Sequence, residues 1–272
     1  MSQKVKNRIS RALDVVKRYG LNIDLPQPIQ RELDIYEAML RSSGKYEYSV
    51  PTDLEFVLSF EALSSHGIKF SLPEDLMRMV KEYQLFGGDD SLFKQLIPDA
   101  KNYFEYGSGK STAFVYKLYS ANVFSVDTSA EWVAKISGLI DHKREQKLHI
   151  KWIDVGEVGE WGYPKTKIKQ QNFLTYAEWF WGLNIDPDLV LVDGRFRVLC
   201  FLVSVKNAKV GTKILFDDYT PRQHYHFVEN FSNLIKVCGR QALFEVSVAG
   251  KQKLTDELIE QYRSVVHYNK AN

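Results

Sequence analysis

From residue 99 onward the chain alternates two rhythms. Short apolar runs recur at residues 103–106, 123–126, 149–155, 189–192, 213–216 and 243–248. Between most of them apolar residues fall at helical spacing, at residues 112–119, 130–145, 196–206 and 224–237. Strands separated by helices build right-handed βαβ units and a mainly parallel sheet with helices on both faces. The expected class is therefore α/β. Such a sheet binds ligands outside the carboxyl ends of its strands, near the point where strand order reverses. The residues that matter for chemistry should stand where each strand stops.

Residues 1–98 lack this alternation and read as a helical N-terminal segment. Val5, Ile9, Ala12, Leu13, Val16 and Tyr19 recur at helical spacing, and Gly20 follows as a stop. The opposite face carries Lys4, Lys6, Arg8, Arg11, Lys17 and Arg18. A basic amphipathic helix can meet a membrane surface or an acidic partner. This one has a short apolar face without Trp or Phe, which disfavours a membrane and points to docking on the body or to a dimer contact. Three more helical patterns follow at residues 29–40, 54–63 and 73–83, and Gly87-Gly88-Asp89-Asp90 marks a loop. The expected division is residues 1–98 as a lid, dimerisation or partner-docking segment and residues 99–272 as the ligand-binding domain.

Charge and cysteine usage narrow the class. Thirty-six basic and 34 acidic residues leave a net charge of +2. No basic stripe with interleaved aromatics is visible, so a nucleic acid partner is not expected. Cys200 and Cys238 sit in apolar stretches and read as buried free thiols in a reducing compartment. No apolar run reaches the about 18 residues of a membrane span. The N-terminal stretch has no apolar core of a signal peptide, so a cytoplasmic protein is expected.

The first strand run ends in Glu105-Tyr106-Gly107-Ser108-Gly109-Lys110-Ser111-Thr112. Glycines here let the backbone turn and approach a ligand at a helix N-terminus. A phosphate-binding P-loop would need Gly where Phe104 stands, and a dinucleotide fingerprint would need Gly where Thr112 stands. The second run ends in Asp127, which either accepts hydrogen bonds from both hydroxyls of a ribose or caps the next helix, where Ser129 would serve equally. Trp132 borders an adenine or simply packs. The third run ends in Asp154, and the glycine-rich stretch 156–162 with Trp161 reads as a mobile loop over the site. Trp179, Phe180 and Trp181 line a substrate pocket or belong to the core. The fourth run ends in Asp193-Gly194-Arg195 and the fifth in Asp217-Asp218-Tyr219. Three converging carboxylates raise one another's pKa unless a cation sits among them.

Glu105-x-Gly107-x-Gly109 resembles the first motif of the class I S-adenosylmethionine-dependent methyltransferases, a Rossmann-like superfamily. The endings at 105–109, 127, 154, 193 and 217–218 follow that family's order over residues 98–250. The resemblance implies that Gly107, Ser108 and Gly109 pass beneath the methionine part of S-adenosylmethionine. It also implies that Glu105 helps hold the cationic end, that Asp127 takes the ribose, and that Asp154 meets the adenine amino group. Ser111 stands in place of the usual third Gly, beside the bulky Lys110.

The endings after the fourth and fifth runs are similar to those of metal-dependent O-methyltransferases of the catechol and caffeoyl-coenzyme-A type. That similarity implies Mg²⁺ held by Asp193, Asp217 and Asp218, orienting a substrate hydroxyl and lowering its pKa. Asp218 replaces the usual Asn, and Phe196 replaces a Lys. A metal-free alternative gives the proton to His224 or His226, oriented by Asp218, although histidines here are equally read as solvated. Arg195 and Arg197 are candidates to bind an anionic substrate group by paired hydrogen bonds, with a helix face as the alternative for Arg197. The expected reaction is O-methylation of a small hydroxylated molecule or sugar. The competing expectations are a non-catalytic binding module on the same fold and, behind it, a dinucleotide-dependent oxidoreductase.

Overall fold

The computed structural model describes residues 3–23, 25, 27, 29–31, 56, 57, 59, 60, 63, 64, 67, 68, 70–138, 148–263 and 265. The chain divides into two compact units, Met1–Gln84 and Leu85–Asn272. In the first, helix α1 (Gln3–Arg18) forms where the apolar spacing predicts it. Its Ile9, Ala12, Leu13 and Val16 are buried with Phe56, Val57, Leu63, Ile68 and Leu76. Its Arg11, Lys17 and Arg18 are exposed. The apolar face of α1 is therefore covered within its own unit. Helix α2 (Glu74–Glu82) carries Glu74 and Asp75 in its first turn, where the helix dipole favours acids. The expected helices at 29–40 and 54–63 lie partly outside the described residues.

The second unit opens with helix α3 (Ser91–Leu96). Its Phe93 ring lies 5.8 Å from Tyr103 and 6.5 Å from Phe114. The sequence reading groups this helix with residues 1–98, whereas its packing is against the sheet.

Seven strands follow: β1 (Asn102–Tyr106), β2 (Asn122–Asp127), β3 (Leu148–Trp152), β4 (Leu189–Val192), β5 (Lys213–Phe216), β6 (Asn233–Cys238) and β7 (Gln241–Glu245). Their order in the sheet is β3-β2-β1-β4-β5-β7-β6. Strands β1 to β5 run parallel, and β7 is antiparallel to both its neighbours. Strand order reverses between β1 and β4, so the crevice lies at their carboxyl ends.

Helices α4 (Lys110–Leu118), α5 (Ala130–Ser137), α6 (Gln171–Glu178) and α7 (Arg197–Asn207) stand between the parallel strands. Two short helices, α8 (Val248–Lys253) and α9 (Asp256–Arg263), follow β7. Strands β4 and β5 are buried and apolar almost throughout, as a sheet covered on both faces requires. Helix α7 is buried from Arg197 to Val205. Among the described residues no helix is long and apolar enough to cross a membrane.

The aromatic run 179–181 belongs to the core rather than to a pocket. Phe180 is fully buried, with its ring 4.9 Å from Phe104 and 4.7 Å from Tyr106. The Trp181 indole donates to the Tyr106 hydroxyl at 3.1 Å.

One expected helix is not formed. Residues 224–237 divide into a 3₁₀ segment, Gln223–Phe231, and strand β6. Tyr225, Val228 and Phe231 are buried at every third position, which suits three residues per turn rather than 3.6. Leu234 and Val237 continue that spacing by coincidence. The backbone there pairs with β7 instead, across a turn at Gly239 with φ of +54°.

Candidate active site

The β1–α4 turn is built from its hydroxyls. The Glu105 carboxylate is fully buried and accepts from Tyr103 Oη at 2.9 Å, Ser125 Oγ at 3.0 Å, and the hydroxyls of Ser111 and Thr112. Thr112 Oγ1 in turn accepts from the Gly109 amide at 2.8 Å. Burial raises the Glu105 pKa to about 7, against the lowering effect of these hydrogen bonds. Glu105 thus staples the first turn of α4 to β1 and β2. It faces the interior rather than the cationic end of a ligand. Ser111, in the place of a third Gly, is one of its donors. Lys110 is exposed.

The two glycines of the turn have different reasons to be glycine. Gly107 has φ of +96°, and an added Cβ would lie 2.7 Å from the Gly194 Cα. The ends of β1 and β4 therefore touch backbone to backbone. At Gly109 the nearest atom to an added Cβ is Ser111 Oγ, at 4.0 Å. The protein leaves space above Gly109, the N-cap of α4, and no neighbouring atom excludes a Cβ there.

Asp127 adjoins this turn. Its two oxygens accept from the amides of Ser108 at 3.0 Å and Ser129 at 2.8 Å. Ser129 itself caps α5 by accepting from the Trp132 amide at 3.2 Å. The capping role is therefore filled, and each Asp127 oxygen retains acceptor capacity for a diol. Burial raises the Asp127 pKa. The Trp132 indole donates to the Ser108 carbonyl, which pins the ring beside the glycine turn.

Asp154 accepts from the Gly156 amide at 3.0 Å and pairs with Lys169, which lowers its pKa. The stretch expected as a mobile loop is a hairpin, closed by a bridge between Val158 and Pro164 and by the Gly159 amide on the Tyr163 carbonyl at 2.8 Å. Thr128 Oγ1 holds it down by donating to the Gly162 carbonyl at 2.8 Å. Trp161, at its tip, is 83% exposed.

At the ends of β4 and β5 the cation among the carboxylates is an arginine. Arg197 is buried and donates to the carbonyls of Gly194 at 3.0 Å, Asp217 at 2.6 Å and Asp193 at 2.9 Å. It also pairs with Asp193 Oδ1 at 2.9 Å and Asp218 Oδ2 at 3.4 Å. Asp218, at φ of +58°, is further held by Arg222 at 2.7 Å and by Arg240. Asp217 Oδ1 accepts from Gln241 at 3.0 Å.

The expected Mg²⁺ set of Asp193, Asp217 and Asp218 is accordingly not assembled. Among the described residues no three His, Cys, Asp or Glu side chains converge as metal ligands. The pairing of Asp218 with a histidine fails for the same reason, since its oxygens face three guanidiniums. His226 stacks on Tyr219, with ring centroids 4.6 Å apart, and His224 lies beside Tyr225. Burial and the charge of Arg222 lower the His224 pKa. Cys200 is buried as expected while Cys238 is only half-buried, and burial raises the pKa of both thiols.

No protein-family model and no curated protein sequence matches the chain. Solved structures do. A methyltransferase-like protein from Silicibacter pomeroyi is 28% identical, with 72% of this chain and 98% of that one covered at a TM-score of 0.56. This chain has the class I S-adenosylmethionine-dependent methyltransferase fold. A proposed caffeoyl-CoA O-methyltransferase from Staphylococcus aureus is 15% identical over 68% of this chain and 97% of that one, at a TM-score of 0.44. A methyltransferase from Geobacter sulfurreducens is 10% identical over 77% and 97%, at 0.38. The last two are too distant to bear on the reading.

The cofactor that this methyltransferase fold implies suits the residues present. Gly109 opens onto free space, and Asp127 beside it offers acceptors suited to a ribose. Mg²⁺ does not suit them, because Arg197 already occupies the centre of the carboxylates. The sequence reading left Arg197 open between an anion site and a helix face, and it passed over Tyr163, Tyr176 and Gln241. The available signal was an arginine at the head of the apolar run 198–205, since a cation entering a buried helix needs carboxylates or carbonyls around it.

Proposed function

We propose that this chain transfers a methyl group from S-adenosylmethionine to the hydroxyl of a small molecule or sugar. The observation that carries the reading is the uncrowded Gly109, next to Ser108, whose amide bonds to Asp127, at the point where strand order reverses. The bound cofactor would supply an electrophilic methyl on a sulfonium. The protein's part is to position the acceptor in line and to take its proton.

Asp193 suits that second task. Its backbone abuts Gly107, Arg197 fixes one of its oxygens, and its side chain stays partly exposed. Burial raises its pKa despite that arginine, which brings it closer to the range useful for a general base at neutral pH.

Calorimetry with S-adenosylmethionine and S-adenosylhomocysteine tests the first part. Absence of binding by both would sink the proposal. For the second part, Asp193→Asn should leave cofactor affinity intact and lower kcat by about 10²–10⁴-fold, the usual contribution of general base catalysis. An unchanged kcat would remove Asp193 from that role.

A further inference from the structure

The crevice is crossed by a contact that the sheet order makes informative. Tyr163 follows β3 and Arg195 follows β4, while β2 and β1 lie between those strands. The Arg195 guanidinium sits over the Tyr163 ring, 4.1 Å from its centroid. This pair therefore arches over the carboxyl ends of β1 and β2, where the glycine turn and Asp127 stand.

Both feet of the arch are fixed. Tyr163 belongs to the hairpin tied down by Thr128. Gly194 is locked against Gly107, and the Arg195 amide donates to Tyr176 Oη at 3.4 Å. The guanidinium makes no ion pair among the described residues. Its charge is felt by the carboxyls of Asp193 and Asp127, whose pKa it helps to lower, but it pairs with neither: Asp193 is paired with Arg197, and Asp127 accepts from two amides. A guanidinium seated on a ring keeps its N–H edge available for two parallel hydrogen bonds to a carboxylate or phosphate.

We propose that Arg195, positioned by Tyr163, is the anion-recognition residue of the crevice and binds a carboxylate or phosphate of the ligand lying beneath the arch. This rests on the methyl-transfer reading for the identity of the ligand. The anion then comes either from the methionine part of the cofactor or from an acidic group on the acceptor.

Calorimetry on the full chain distinguishes the sources. The probes are S-adenosylhomocysteine, 5′-methylthioadenosine (which lacks the amino-acid part), and phenyl phosphate against phenol, each of the last two with and without S-adenosylhomocysteine. Arg195→Met should cost about tenfold or more toward one anionic probe and nothing toward its neutral counterpart, the scale of a paired charge-assisted hydrogen bond. Loss of S-adenosylhomocysteine with methylthioadenosine unchanged assigns the anion to the cofactor. Loss confined to phenyl phosphate assigns it to the acceptor. Tyr163→Leu should weaken the same probe by a smaller factor.

An Arg195→Met variant that binds every probe as the wild type does overturns the proposal. If the wild type binds neither nucleoside, methyl transfer falls, and phenyl phosphate decides alone. An Arg195-dependent preference for it over phenol upholds the anion site, and its absence refutes it.

Discussion

Replacing Glu105 by glutamine isolates the energetics of the hydroxyl cage beneath the glycine turn. Burial moves this carboxyl from its ordinary 4.5 to about 7, because a charge at that depth has lost its water and four hydroxyls replace it incompletely. The folded state therefore binds more protons than the unfolded state between those two values. The stability that Glu105 contributes is full below pH 4.5 and is lost as pH rises through 7. The wild type should lose roughly 2–3 kcal/mol between pH 5 and 8 from this group alone. The variant's amide at this position is neutral throughout, so the difference in unfolding free energy between wild type and Glu105→Gln cancels every other titration. All five tryptophans, at 132, 152, 161, 179 and 181, belong to the second unit, so their fluorescence during urea unfolding reports on the unit in question. The difference should move in favour of the variant as pH rises. A difference that is constant from pH 5 to 8 would show that Glu105 is not charged against a burial penalty, and the cage argument would be wrong.

The two glycines of the turn should part company. Gly107→Ala meets Gly194 backbone at positive φ and should cost about 1–3 kcal/mol in urea melts. Gly109→Val, at the N-cap of α4, should cost only about 1 kcal/mol yet abolish S-adenosylhomocysteine binding, and retained binding would refute the cradle. Arg197→Met leaves Asp193 without its ion pair and three strand-end carbonyls without their donor, and should cost about 3–5 kcal/mol, so a loss below about 1 kcal/mol would mean that the arginine does not organise the strand ends. Excess Mg²⁺ added to chelated protein should leave Tm unchanged, since a ligand that binds only the folded state raises it. A rise in Tm that Asp217→Ala abolishes would bring the metal back.

What was legible in the chain and what was not divides on a physical line. Strands β4 and β5 could be read because a strand buried on both faces is apolar almost throughout, β1 because Tyr103, Phe104 and Tyr106 flank its one buried acid, and their ends then located the crevice. Residues 223–238 misled, because period three fits a 3₁₀ helix and, by accident, the apolar residues of the edge strand that follows it. Asp193, Asp217 and Asp218 do follow the ends of neighbouring strands β4 and β5, and the cation expected with them was Mg²⁺, where the fold has Arg197 paired with Asp193 and Asp218. That identity was not legible, because a formula cannot say whether the first arginine of a helix points outward or turns back toward the strand ends, as Arg197 does. Glu105 is the same failure seen from the other side. Its donors Tyr103, Ser111 and Thr112 were close in sequence, but the family resemblance assigned the carboxylate outward while the fold used it inward. In both cases a charged group had capacity for one role, and the fold consumed that capacity. A candidate residue can then act on a ligand only with what the fold leaves over. Applied to the strand ends, that condition removes Glu105, Asp217, Asp218 and Arg197. It leaves Gly109 with its open space, Asp127 and Asp193 with oxygens not fully engaged, and Arg195 with a guanidinium that no ion pair holds among the described residues.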